Sequence, residues 1–295
     1  MKGDFFREGG FNKIRGVLDP KGKLIGWDEH LIRASYPGKP GFLTGPWPSA
    51  FPFNSVDNVR ASLSTFRLDT PTGAWRAPYS NTHAFVSQSF IHELATEANR
   101  DHLEFLLEMM GDPRWLSPGQ INALNTERAI GVLKKVARET QLQSTPARNN
   151  RGLGLAFYFC HAAHVAEVAD VTVTQANEIF VNKVTAAVDV GPIINMSGAL
   201  NQVEGSIMDG LSTMVGQKIT MENGRIEQTN LDKYPVLRIN AAPDIEVHFI
   251  ESDYDPTGLG EPALPPLAPA IANAIFEATG ARVRTMPLTD LGYTI

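Results

Sequence analysis

Apolar and polar residues alternate through "NKIRGVL" and "LIGWDEHLIRAS", the period-2 pattern of half-buried strands. "DPKG" between them supplies turn chemistry, so Asn12–Ser35 predicts a β-hairpin. The stretch "YPGKPGFLTGPWPSAFP", Tyr36 to Pro52, is too rich in proline and glycine for regular structure. It predicts a loop pinned by its aromatic residues, with a loop over a pocket or interface as the alternative. "NVRASLSTFRL" predicts another strand. Three helices should follow. The first is capped by Ser80 or Asn81 and carries Phe85, Phe90 and Leu94 at helical spacing. "RDHLEFLLEMM" is closed by Gly111 and Pro113. The third opens at Ser117-Pro118, with Ile121, Leu124, Ile130, Leu133 and Val136 as its buried candidates.

"QLQSTPARNNRG", Gln141 to Gly152, is polar and loop-like, and predicts a boundary between a first lobe over 1–140 and a second over 152–295. Beyond it, "GLGLAFYF", "VAEVADVTVT" and "VNKVTAAVDV" are strand-like. "MSGALNQVEGSIMDGLSTMVG" predicts a helix with Leu200, Val203, Ile207, Leu211 and Met214 on one stripe. "IEVHFIES" predicts a strand. "LAPAIANAIFEATG" predicts a short helix with Pro269 in its first turn and Gly280 just past its end. The alanines of that helix imply close approach to another element. Helices and strands fall in clusters, so the fold class is α+β, in two mixed lobes.

Composition changes this picture only by exclusion. A chain of 295 residues, 43% hydrophobic and 20% charged, has the make-up of a globular protein with a sizeable core. The net charge of -6 and the absence of a basic patch argue against a nucleic-acid partner. One cysteine, Cys160, rules out an intrachain disulfide and a Cys-ligated zinc or iron–sulfur site. No apolar run approaches about 18 residues, so no membrane span is expected. "MKGDFFREGG" has no apolar core, so no signal peptide is expected on this chain, which leaves cytoplasm and periplasm both open.

The candidate chemistry concentrates in "TGLGEPALPPLAP". "GLGEPA" matches a dinucleotide fingerprint, but Pro262, Pro265 and Pro266 block the helix that should follow, and too little chain remains for a nucleotide-binding unit. A rigid turn fits better. Glycines let the backbone approach a ligand, prolines fix the exit, and the Glu261 carboxylate is held among apolar neighbours, where a raised pKa would suit a general base. The structural alternative is that Glu261 caps a helix or pairs with an arginine. "FCHAAH" is a weak metal site, because on a strand His161 and His164 point to opposite faces, and on a helix two ligands are too few. His92 and His102 are expected to pack rather than to ligate. There is neither a G-x-S-x-G elbow nor a phosphate-binding loop with its lysine.

"GLGEPALPPLAPAIANAIFEATGARVRTMPL" resembles the C-terminal signature of the large subunit of molybdenum hydroxylases, the xanthine oxidase and aldehyde oxidase family. Within that family it is most similar to the isoquinoline 1-oxidoreductase type of large subunit. Four further segments resemble that subunit in order: "DFFREGGFNKIRGVLDPKGKLIGW", "WRAPYSNTHAFVSQSFIHELA", "AVDVGPIINMSGALNQVEGSIMDGLS" and "QTNLDKYPVLRINAAPDIEVHFIES". Departures fall at Tyr79, where that family has glycine, at Gln88 and His92, where it has acids, and at Met196, where it has proline.

The resemblance implies a molybdopterin-binding fold and specific roles. Glu261 would be the catalytic base of a hydroxylation in which water supplies the oxygen. Gln202 would bond the pterin, the backbone at Arg76 and Ala77 would approach the metal's ligands, and Gly258 and Gly260 would keep the turn close. The cofactor implied is a molybdenum–molybdopterin, in its cytosine dinucleotide form, whose own sulfurs hold the metal, so no protein metal ligand is needed. The partners implied are the N-terminal half of the large subunit on another chain, a small subunit carrying 2Fe-2S clusters, and a small-molecule substrate, either an aldehyde or an N-heteroaromatic. A hydrophobic face is expected where the other half docks. The competing expectation is a non-catalytic remnant that keeps the fold as an interaction or scaffold domain.

Overall fold

A computed structural model of the chain describes residues 4–36, 39–40, 49–120, 123–145 and 150–295. The predicted hairpin forms from β1 (Gly10–Leu18) and β2 (Leu24–Tyr36), paired antiparallel. Its turn closes because the Asp19 carboxylate accepts the amide hydrogens of Lys21 and Lys23, at 2.8 and 2.9 Å. β3 (Asn58–Arg67) adds to β2 in parallel and is exposed at every position. β2 turns Trp27, Glu29, Leu31 and Arg33 inward. Two of those four are charged, and Glu29 is satisfied by Asn12 at 2.6 Å and Trp27 at 3.1 Å.

The second sheet is a meander of β4 (Arg151–Cys160), β5 (Ala163–Val173) and β6 (Ile179–Asp189), with β7 (Asp244–Phe249) parallel to β6 at its edge. β5 is buried at all but one position, because helices cover both faces of the sheet. On one face, α4 (Met196–Gly216) and α5 (Leu267–Thr279) pack over Ala156, Val165, Ala169, Val184 and Ala186. On the other, α1 (Pro78–Glu97), α2 (His102–Met110) and α3 (Thr126–Glu139) pack over Leu155, Phe157, Ala166 and Val168. That second core draws on residues from both sides of 141–152.

The alanines of α5 serve the close approach expected of them. A Cβ at Gly154 on β4 would lie 2.1 Å from the Ala270 carbonyl oxygen and 2.2 Å from the Ala274 nitrogen. Glycine on the strand and alanine on the helix are therefore one feature, a helix laid directly on a strand's backbone. Gly280 ends α5 in the left-handed conformation, with φ 75°.

Two predicted helix starts move. α1 begins at Pro78, not at Ser80 or Asn81: the residue before it, Ala77, is left-handed (φ 53°, ψ 58°), and has no side-chain oxygen of its own to cap the helix. α3 begins at Thr126, not near Ser117, because Asn125 supplies the cap to Glu127 and Arg128, and Leu124–Asn125 pairs with Trp115–Leu116 as a short strand. Leu133 and Val136 are buried and Ile130 half-buried, while Ile121 lies outside the described residues. Most of Tyr36–Pro52 lies outside them too, but Phe51 is pinned edge-on against Phe157, with ring centroids 5.8 Å apart. Among the described residues no helix is long and apolar enough to cross a membrane.

Candidate active site

The site forms where four distant segments meet: the approach to α1 at Arg76 and Ala77, the hairpin tip between β4 and β5, the first half of α4, and the 257–261 turn before α5. Asn195 caps α4 by accepting the Gly198 amide at 3.0 Å, which sets Gln202 and Asp209 along the helix. The Arg76 guanidinium ties three of these segments together. It donates to the Gly260 carbonyl at 2.6 Å, to Asp209 Oδ2 at 2.7 Å, and to the Gln202 carbonyl and Oε1 at 3.2 and 3.3 Å. The fixed fork of five donors makes such a junction possible, where a lysine ammonium would reach only part of it.

Glu261 is held from two sides. Its Oε1 accepts the Ala77 amide hydrogen at 3.0 Å, and its Oε2 lies 2.8 Å from His161 Nε2. The left-handed turn at Ala77 presents that amide at the start of α1, so the carboxylate meets the positive end of a 20-residue helix. The capping alternative is thus realised in geometry, and it orients the acid as well as anchoring it. The expected apolar surroundings are not found: the Glu261 side chain is 34% exposed and both oxygens face polar partners.

His161 is the residue the sequence reading misses. It sits with Ala162 in a two-residue turn, both at positive φ (50° and 62°), with Cys160 paired to Ala163. Such turns favour Asn-Gly, so "CHAA" gives no turn signal, though its place between two strand-like runs could have marked a hairpin. Cys160 Sγ lies 2.8 Å from His161 Nδ1. Burial pushes the Cys160 thiol up to about 12, with the Glu261 charge adding to the effect and a Ser80 hydrogen bond opposing it.

The other histidines divide as packing residues. His164 is fully buried and accepts the Asn125 amide at 3.0 Å; burial, with Arg128 nearby, pulls it down to about 3. His92 lies between Glu277 at 3.1 Å and Arg282 at 2.8 Å, and its ring contacts that of His102 at 4.7 Å. Of the positions that depart from the family pattern, Tyr79 stacks on His83 at 5.0 Å, and buried Gln88 accepts the Phe157 amide at 3.1 Å. Among the described residues no group of three or more His, Cys, Asp or Glu is placed to hold a metal ion.

The structure therefore brings Arg76, Ala77, Gln202, Gly260 and Glu261 together, with Gly258 two residues before Gly260. Gln202 is exposed, and its side-chain amide nitrogen has no partner among the described residues. A Cβ at Gly258 would meet nothing within 4 Å. A carboxylate, an outward amide and glycine backbone beside open space form a set of hydrogen-bonding groups without metal ligands. That set fits a polar cofactor that brings its own metal ligands.

The α+β fold is of the molybdopterin-binding kind, as the resemblance implied. The chain belongs to the molybdopterin cofactor-binding domain family, whose model matches residues 93–243. It is 30% identical over 301 residues to a nicotinate dehydrogenase subunit of Pseudomonas putida, covering 94% of this chain and 25% of that one. It is 31% identical over 208 residues to the beta subunit of the isoquinoline 1-oxidoreductase of Brevundimonas diminuta, covering 69% and 25%. Its fold matches the aldehyde oxidoreductase of Desulfovibrio desulfuricans with a TM-score of 0.77 at 14% identity, over 95% of this chain and 48% of that chain. The chain thus spans about a quarter of the length of either curated relative.

Proposed function

We propose that this chain is the base-carrying part of a molybdenum-dependent hydroxylase large subunit, acting on an aldehyde or an N-heteroaromatic carbon. The observation that supports it most is Glu261: a carboxylate on a proline-stiffened turn, oriented by the Ala77 amide, beside exposed Gln202 and open Gly258. In this reading Gln202 and the backbone at Arg76–Ala77, Gly258 and Gly260 would hold the molybdopterin, in its cytosine dinucleotide form. When bound, that group supplies the two-electron oxidising centre. Glu261 removes the proton that frees water-derived oxygen for attack on the substrate carbon, and the Ala77 amide keeps one carboxylate oxygen fixed so that the other is aimed. Overall, a C–H and water become a C–OH, two protons and two electrons. A small partner subunit carrying 2Fe-2S clusters would take up the electrons.

The remainder of the large subunit completes the site. The exposed apolar residues Val59, Leu63 and Phe66 on β3, and Phe5 and Phe11 before and within β1, are consistent with a covered surface of this kind. The test is Glu261→Gln in the native assembly. Turnover should fall by about 10²–10⁴-fold with molybdenum content unchanged, and retained turnover would dismiss the base role.

A further inference from the structure

The hairpin tip places an imidazole against the proposed base in a way the cofactor-site reading does not require. His161 is held at φ 50° and Ala162 at φ 62°, a pair of left-handed residues where glycine or asparagine would be easier. The ring spans two groups: Nε2 is 2.8 Å from Glu261 Oε2, and Nδ1 is 2.8 Å from Cys160 Sγ. A neutral imidazole has one donor nitrogen and one acceptor nitrogen, and its neighbours decide which is which. The buried thiol keeps its hydrogen at neutral pH. Donation from that thiol to Nδ1 leaves the hydrogen on Nε2, pointed at the carboxylate. The groups facing Glu261 are then the Ala77 amide from the start of α1, His161 from the hairpin tip, and the Cys160 thiol behind it. Arg76 spends its donors on Gly260, Gln202 and Asp209.

We propose that His161 is a positioning residue for Glu261: Cys160 selects its Nε2–H tautomer, and that hydrogen bond holds the second carboxylate oxygen, keeping Glu261 aimed. This rests on the reading of Glu261 as the base. With one oxygen on a backbone amide and the other on an imidazole, the carboxylate cannot rotate without breaking a bond. Loss of the imidazole donor frees the acid to turn.

The test compares His161→Phe, which keeps ring bulk without a donor, with His161→Gln, which restores a donor near Nε2. Both variants keep a side chain at the same positive φ, so backbone strain is common to them. Infrared difference spectroscopy of the assembly reads Glu261 directly, its carboxylate stretching band being identified by its absence in Glu261→Gln. In His161→Phe the band should shift and broaden, as a freed carboxylate takes up more than one orientation. Turnover should follow, with kcat lowered about tenfold and KM raised less. His161→Gln should restore both, and Cys160→Ala should move them by less. An unshifted band in His161→Phe overturns the proposal, whatever happens to turnover. A shifted band together with retained turnover in Glu261→Gln leaves the positioning role standing and removes the base reading instead.

Discussion

Two pairs of glycines serve opposite ends of the same geometry. Gly152 and Gly154 lie under α5, where a Cβ would stand 2.4 and 2.1 Å from backbone oxygens of the helix. Gly258 and Gly260 lie before α5, where a Cβ would meet nothing within 4 Å or only Gln202 Oε1 at 3.7 Å. The first pair is demanded by the chain's own packing. The second is not, and Gly258 and Gly260 do not have the positive φ that would call for glycine. Packing explains the first pair, whereas the second pair leaves open backbone beside Glu261, where the proposed cofactor would lie.

Substitutions at four positions would break or sharpen that contrast. Gly154→Ala should act most strongly, since helix backbone has to move, costing about 3 kcal/mol or more, read as a lowered denaturation midpoint. A midpoint close to wild type would mean that α5 can lift from β4 freely. Arg76→Ala should cost about 1–3 kcal/mol, because it strips donors from the Gly260 carbonyl, Gln202 and Asp209 at once. Arg76→Lys should recover only part of this, measured by thermal melting.

His164 of the hairpin extends the contrast to pH. His164 belongs to the packed side and has its folded value lowered by burial to about 3, so the unfolded chain binds the extra proton first. Its contribution to stability is therefore intact above about pH 6.5 and is lost as pH falls toward about 3, at up to ~1.4 kcal/mol per pH unit. Replacing it by glutamine should flatten that part of the stability-versus-pH curve relative to wild type, and an unchanged slope would refute the assignment. Smallest of all, Gly258→Ala should leave stability within about 0.5 kcal/mol of wild type while lowering molybdenum per chain in the native assembly. Unchanged molybdenum would mean that the open face is not used.

The parts of this molecule that are legible in the sequence are those governed by near neighbours in the chain. "DPKG" carries its own turn, the alanines of α5 announce a close contact without naming its partner, and the proline-rich exit after Glu261 declares a rigid loop. Ordered motifs carry the family. What stays hidden is set by contacts across the chain. The partner of Glu261 is 100 residues away in a turn whose residues disfavour it, and the amide it accepts is 184 residues away on an alanine with no reason to be left-handed until Glu261 is there. The start of α1 is hidden for the same reason: Ser80 and Asn81 are good caps, but the capping oxygen comes from another segment.

The Arg76 junction has a consequence for the order of events in folding. Its bonds join residues separated by 126, 133 and 184 positions. Loops of that length close late, after the local hairpins and helices have formed, because chain entropy must first be overcome by contacts nearby. The turn that carries Glu261 therefore takes its final shape only when α1, α4 and the chain ahead of α5 have all arrived, and a partly folded chain holds every one of the site's residues without yet possessing the site.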